Sequence, residues 1–290
     1  MRPMGPPRLS RVESPERLKD KQKRHWDDVA DGWATWLQWT EHNFAPVTGW
    51  IADAVNWQEG ARALDIGCGA GYPSLAAARA VGVRGAVVAT DISPRMLAAA
   101  EHAARSAGLQ NITFREMDAE DLQFASDSFD AATSTYGLMF CPDPARALAE
   151  AHRVLVPGGR FAAVVWDHPA KSPYFSVITG VAARQFGFQP PAPGGPGPFR
   201  FASSDELTML MRRAEFSNVR VESCPSTFLC ASADEYCQMF GDLAWKTRMS
   251  ALSAEERAHF VKEVDDAVSA YRSNGRLRLV AVSLCACGQK

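Results

Sequence analysis

The sequence predicts an α/β fold, a seven-stranded, mostly parallel sheet with helices on both faces. Two observations predict it. From residue 61 onward short apolar runs alternate with helical stretches, and runs separated in this way join by right-handed crossovers into a parallel sheet. The first such run also passes through a glycine-rich turn into a helix, the joint at which open α/β sheets place their ligands.

Residues 1–17 read as a flexible lead, because prolines at 3, 6, 7 and 15 remove backbone donors and disfavour helix in the residues before them. Arg17, Lys19, Lys21, Lys23 and Arg24 follow. Interrupted by Asp20 and trailed by Asp27 and Asp28, they read as a solvated helix face. Trp26, Val29, Ala30, Trp33 and Leu37 then recur at the spacing of one helix face, with an unusually aromatic stripe.

The alternation proper begins with a strand over 62–66, a helix over 72–80, a strand over 85–90 and a helix over 94–108 ended by its glycine. Strands over 111–115 and 129–134 come next, then a helix over 144–155 closed by Pro157-Gly158-Gly159, and a fifth strand over 160–166. Residues 167–202 break the rhythm and read as a lid-like insertion. It holds a short helix over 174–186 and a stretch at 189–198 too rich in proline and glycine for regular structure. Ser203 or Ser204 caps a helix through Arg213, a sixth strand covers 218–222, residues 232–272 are largely helical, and a last strand covers 277–285.

Composition narrows the function. The chain has 290 residues, 31 Lys+Arg against 33 Asp+Glu and a formal charge of −2, with no basic half, so nucleic acid is not an expected partner. No apolar run is long enough to span a bilayer, and the N-terminus lacks the apolar core of a secretory signal. Seven cysteines, an odd number without a C-x-x-C pair, fit a reducing cytoplasm and no metal site. Six of the eight tryptophans fall between Trp26 and Trp57. The residues carry no signal for oligomeric state.

The segment Leu64-Asp65-Ile66-Gly67-Cys68-Gly69-Ala70-Gly71 carries the chemistry. Glycines let the backbone turn tightly and approach a ligand at a helix N-terminus. Asp91, at the end of the second strand and 20 residues after Gly71, is placed to accept hydrogen bonds from both hydroxyls of a ribose. Nicotinamide dinucleotides use the same architecture, but the last glycine of their G-x-G-x-x-G fingerprint falls on Tyr72, or on Ser74 when counted from Gly69. Asp65 also suits an ammonium group better than a pyrophosphate.

These segments, together with Val88-Ala-Thr-Asp-Ile-Ser-Pro-Arg-Met-Leu97, Met117-Asp-Ala-Glu120, Phe129-Asp130 and Arg153-Val-Leu-Val-Pro-Gly-Gly-Arg160, resemble the class I S-adenosylmethionine-dependent methyltransferases. The likeness is to the ubiquinone/menaquinone-biosynthesis group, over residues 61–166 and more faintly to about 222. It implies a Rossmann-like sheet with an N-terminal helical lid, and a single domain over 18–290. Within it, 18–60 form an aromatic helical cap, 61–166 bind the donor, and 167–202 with 232–272 cap the acceptor. One departure is Ala214-Glu215-Phe216, where the family usually has glycine in the middle, at a helix end.

The resemblance implies that the backbones of Gly67, Cys68 and Gly69 line the methionyl part of S-adenosylmethionine while Asp65 engages its ammonium directly or through water. It implies further that Asp91 holds the ribose, that Ile92 and Met96 flank the adenine, and that Asp118 and the Ala119 backbone meet its edge. Ser134 and Thr135 then face the reactive methyl. Trp33, with Trp26, Trp36 and Trp39, is expected to close over the donor, its rings attracting the sulfonium; the six clustered tryptophans read together as the acceptor-side cover.

For proton removal, His168 and Asp167 after the fifth strand and Tyr136 after the fourth are the candidates, with His42 a weaker one. Packing alone is the competing reading for each. Cys68 reads as a small filler of the loop, His152 as a packing residue, and the scattered cysteines do not support the arsenic chemistry of some relatives. The expected acceptor is an apolar or aromatic small molecule, quinone-like or a natural product, methylated at oxygen or carbon. Three alternatives stay open on sequence: a non-methylating use of the same donor, such as cyclisation or alkylidene transfer; a nicotinamide-dependent reductase; and a donor-binding protein without turnover.

Overall fold

The computed structural model describes residues 13–188, 195–201 and 203–290. The expected flexible lead lies outside these residues as far as residue 12, and the proline-rich stretch at 189–198 lies outside them over 189–194. The rest of the lead is a correction. Ser14 accepts a hydrogen bond from the Arg17 backbone and caps helix α1 (Pro15–Thr35), with Pro15 in the first turn, where its missing N–H costs nothing.

Helices α2 (Leu37–Asn43) and α3 (Ala45–Val55) complete the N-terminal layer. The alternating core then runs β1 (Arg62–Ile66), α4 (Tyr72–Val81), β2 (Ala86–Asp91), α5 (Pro94–Ser106), β3 (Ile112–Glu116), β4 (Phe129–Thr135), α6 (Pro144–Val154) and β5 (Leu155–Trp166). After it come α7 (Pro173–Phe186), α8 (Ser204–Arg213), β6 (Ser217–Cys230), α9 (Ala233–Phe240), a π-helical turn at Gly241–Trp245, α10 (Lys246–Ser250), α11 (Ala254–Ala267), the two-residue β7 (Arg272–Ser273) and β8 (Arg276–Gln289).

Seven long strands lie in the order β3-β2-β1-β4-β5-β8-β6, with β7 paired on β8. β1 through β5 pair in parallel and β8 runs antiparallel to both of its neighbours. β6 and β8 are each 14 residues long, far beyond the predicted 218–222 and 277–285. Pro225 and its small polar neighbours look like a turn in the sequence. β6 is the edge strand, however, and there a proline costs the sheet no interior hydrogen bond.

β1 lies between β2 and β4, so the chain leaves it toward opposite edges of the sheet and opens a crevice at the carboxyl ends of β1 and β4. Large side chains fix the sheet between its helices: Phe129 and Phe161 are fully buried, and the Phe161 ring stacks on Phe216 with centroids 5.2 Å apart. His152 meets the edge of the same Phe216 ring. At the end of α8, Glu215 takes the glycine-like conformation itself, with φ +68°.

Candidate active site

The loop after β1 is fastened to the end of β2. The backbone N–H groups of Gly67 and Cys68 both donate to the Thr90 carbonyl, at 2.8 and 2.9 Å. That of Gly69 donates to the Asp91 carboxylate at 2.9 Å, whose other oxygen accepts from the Ser93 backbone at 2.9 Å. Gly69 has φ +53°, and a Cβ there would meet nothing within 4 Å, so the wall is open at that point. Gly71, at φ +98°, sits against Ala100, which brings the start of α4 close to α5. Burial pushes the Asp91 carboxyl up to about 6, with Asp27 adding to the shift and the backbone donors opposing it.

This loop forms one wall of a cavity of about 1010 Å³, larger than a single drug-sized ligand requires. At one end the structure brings together Gly67, Cys68, Gly69, Asp91, Ile92 and Met96 with Asp118, Ala119, Ser134 and Thr135. Thr135 is 8% exposed, and its hydroxyl has no partner among the described residues. Burial raises the Cys68 thiol well above its ordinary value, and the thiol donates to the Gly69 carbonyl, as a filler would.

Asp65 is a correction. It does not line the cavity; its carboxylate is 1% exposed, accepts from Ser74 and from Thr133, and is pushed up to about 6 by burial. It braces β1 against α4 and β4, which leaves it no direct contact with the cavity.

The other end of the cavity is aromatic. Trp166 lines it, stacked on Tyr136 with centroids 4.1 Å apart and edge-on to Phe175. Phe44, Tyr174, Phe240 and Trp245 continue the wall. Elements from α1 and α2, from residues 166–188 and 198–199 and from 240–248 thus enclose the space, while α11 stays behind as support.

Helix α1 lies across both ends. Its basic residues form a solvated face only in part: Arg17, Lys21 and Arg24 are exposed, but Lys19 bridges Asp118 and Glu120 at 2.6 Å each, and Lys23 pairs with Glu116. Asp27 accepts from the Ser93 hydroxyl at 2.6 Å, and Trp26 meets the Phe140 ring edge-on. Further along, the Trp33 indole donates to the Leu243 carbonyl at 3.0 Å and that of Trp36 to Asp242 at 2.9 Å. A π-turn leaves carbonyls without their usual helical partners, and Trp33 uses one. The tryptophan cluster divides accordingly. Trp26, Trp33 and Trp39 line the cavity, Trp36 is a latch, and Trp50 and Trp57 pack around α3, away from the cavity.

None of the three residues nominated for proton removal offers a free basic atom. Tyr136 lines the cavity at φ +58°, but its hydroxyl is tied to Ser283 at 2.8 Å and burial raises it well above 10, so it stays a phenol. Asp167 is 1% exposed and off the cavity, accepting from the His168 backbone, from Lys171 and from Ser223. His168 does reach the cavity rim, with Nδ1 accepting from the Ala170 backbone at 3.2 Å. In the neutral ring the proton is then on Nε2, which makes that atom a donor. His42 does not line the cavity.

Sequence reasoning passed over Gln22 and His25, both of which line the cavity from α1. Gln22 stands three residues after Lys19 and four before Trp26, so helical spacing alone places it on their face. Partial burial lowers the His25 pKa below its ordinary value.

A family profile described as a methyltransferase domain matches residues 64–163. The demethylmenaquinone methyltransferase of Geobacillus kaustophilus (strain HTA426) is 30% identical over 236 residues, which covers 76% of this chain and 94% of that protein. The chain belongs to the class I S-adenosylmethionine-dependent methyltransferases. Another methyltransferase of the family, the aklanonic acid methyltransferase of Streptomyces sp. (strain C5), is 40% identical over 119 residues, 41% of this chain and 54% of that one. The crystal structure of the YcgJ protein from Bacillus subtilis superposes with a TM-score of 0.56 at 20% identity, covering 84% of this chain and 97% of that one, a likeness of fold.

The cavity fits the donor that methyltransferases use. The open position at Gly69 and the unpartnered Thr135 hydroxyl leave room and a polar contact beside the loop, and Asp91 keeps lone pairs free for a diol. Among the described residues no helix is long and apolar enough to cross a membrane.

Proposed function

We propose that the protein methylates an apolar, aromatic small molecule, quinone-like or a ring-bearing natural product, at oxygen or carbon. The observation that carries this reading is the continuity of one cavity from the glycine loop to the ring-lined end around Trp166 and Phe175. Planar acceptors gain most from such walls, since ring pairs add to the burial itself. The names of the two methyltransferase relatives, for demethylmenaquinone and aklanonic acid, support the same class of acceptor.

S-adenosylmethionine supplies an already activated methyl on a sulfonium, so the protein's own task is alignment and exclusion of water. Asp91 would hold the ribose, Gly67 to Gly69 the methionyl backbone, and Ile92 with Met96 the adenine faces. Ser134 and Thr135 would border the point of transfer, with Trp33 above it. His168 Nε2 would donate to an acceptor oxygen. An acceptor already ionised near neutral pH, such as a hydroxyquinone, needs no stronger base than this site provides. The seven cysteines, all free thiols, support a cytoplasmic setting.

Incubation with S-adenosylmethionine and a panel of hydroxylated naphthoquinones, anthraquinones, aliphatic acids and amines tests the reading. Products heavier by one methyl are expected from the ring compounds. Methylation confined to the aliphatic members, or conversion of a ring compound without gain of a methyl, would overturn it.

A further inference from the structure

We propose that the side-chain amide of Gln22, on helix α1, reads the adenine edge of the donor. The inference rests on the family's donor and is independent of the acceptor. The Gln22 side chain lines the cavity, and its Oε1 is buried without a hydrogen-bond partner among the described residues. Buried acceptors are rarely left so unless something else meets them.

The neighbours on α1 locate it. One turn before it, Lys19 reaches Asp118 and Glu120; one turn after it, Trp26 lies against Phe140 and packs with Met96 and Ala70. Gln22 therefore overhangs the gap between Met96 and Asp118, where an adenine ring would enter. Asp118, the expected acceptor for the adenine amino group, already has one partner on each oxygen and can share that group, which has two hydrogens, with a second acceptor. One of its oxygens takes the Lys19 ammonium and the other the Glu120 backbone N–H, at 2.9 Å.

A carboxamide presents a carbonyl beside an NH₂, and adenine presents an amino group beside a ring nitrogen, so the two edges are complementary pair for pair. The reading of the base is thereby lodged on the helix that covers the site. An adenine beneath α1 supplies the partner that the Gln22 Oε1 lacks among the described residues.

The test titrates S-adenosylhomocysteine, and its analogue lacking the 6-amino group, against wild type, Gln22→Leu and Gln22→Asn by calorimetry. Gln and Leu have similar helix propensity, and thermal melts confirm that the variants fold. Gln22→Leu is expected to weaken S-adenosylhomocysteine about tenfold and the deamino analogue, which keeps the ring nitrogen, about threefold. Gln22→Asn keeps the amide but loses reach, and is expected to lose the same discrimination. Unchanged affinity for S-adenosylhomocysteine, or equal weakening of both ligands, would overturn the assignment.

Discussion

Gly32 on α1 and Asp242 in the π-turn approach so closely that a Cβ on Gly32 would fall well inside contact distance of the Asp242 carbonyl oxygen. The covering helix and the cap behind it fit closely here, and the Trp33 and Trp36 indole bonds flank the contact. Gly32→Ala is expected to push α1 off the π-turn and destabilise the fold by about 1–3 kcal/mol, as overpacked sites do. Melting curves measure the loss; a variant as stable as wild type would mean that α1 yields without cost.

Glu215 carries the opposite kind of strain. Its φ of +68° places a side chain where glycine is at ease, at a cost of about 1 kcal/mol. Glu215→Gly is expected to stabilise the protein by up to that amount, offset by the greater freedom of glycine in the unfolded chain. Denaturant titration reads the difference, and a clear loss of stability would contradict the strain.

Asp91 makes donor affinity depend on pH. Its carboxyl, near 6 in the folded protein against an ordinary 3.8, is charged at pH 7.5 and neutral at pH 5. The penalty of burying that charge is therefore present above pH 6 and relieved as pH falls through it, which stabilises the unliganded fold toward acid pH. Affinity for S-adenosylhomocysteine runs the other way, falling below pH 6 as the charge-assisted bonds to the ribose are lost. In Asp91→Asn both trends from this group vanish and affinity is weaker at pH 7.5, by about 1.5–3 kcal/mol. Calorimetry at several pH values checks the slope; identical slopes in the two proteins would remove Asp91 from the ribose.

The acceptor's own ionisation sets the other pH profile. With Tyr136 locked on Ser283 and His168 Nδ1 on the Ala170 backbone, the rise of kcat/KM with pH is expected to follow the pKa of each hydroxyquinone in a series. His168→Gln keeps a donor at the rim and is expected to retain most activity, while His168→Ala raises KM several-fold, for loss of one hydrogen bond of about 1 kcal/mol. A rise at one fixed pH for every acceptor, abolished in His168→Ala, would instead make the imidazole the base.

What the sequence made legible was local. The β1 turn into α4 and Asp91 at the end of β2 are written in consecutive residues, because glycine torsions and strand ends are local properties. The 14-residue β6 and β8 were not legible, since each is lengthened by pairing with the other across a long stretch of chain. The same holds for the site. Asp65 looks like a ligand group in the motif, yet Ser74 and Thr133 consume it from two other elements. Lys19 looks solvated until Asp118 and Glu120 are brought beneath it.

A crystal structure with S-adenosylhomocysteine bound tests most directly whether donor and acceptor share this one cavity. The ribose is expected on Asp91, the adenine between Met96 and Gln22, and the sulfur beside Thr135, facing the space before Trp166 and Phe175. A ligand lying instead among those aromatic rings, or with its sulfur turned away from them, would contradict the assignment of the two ends.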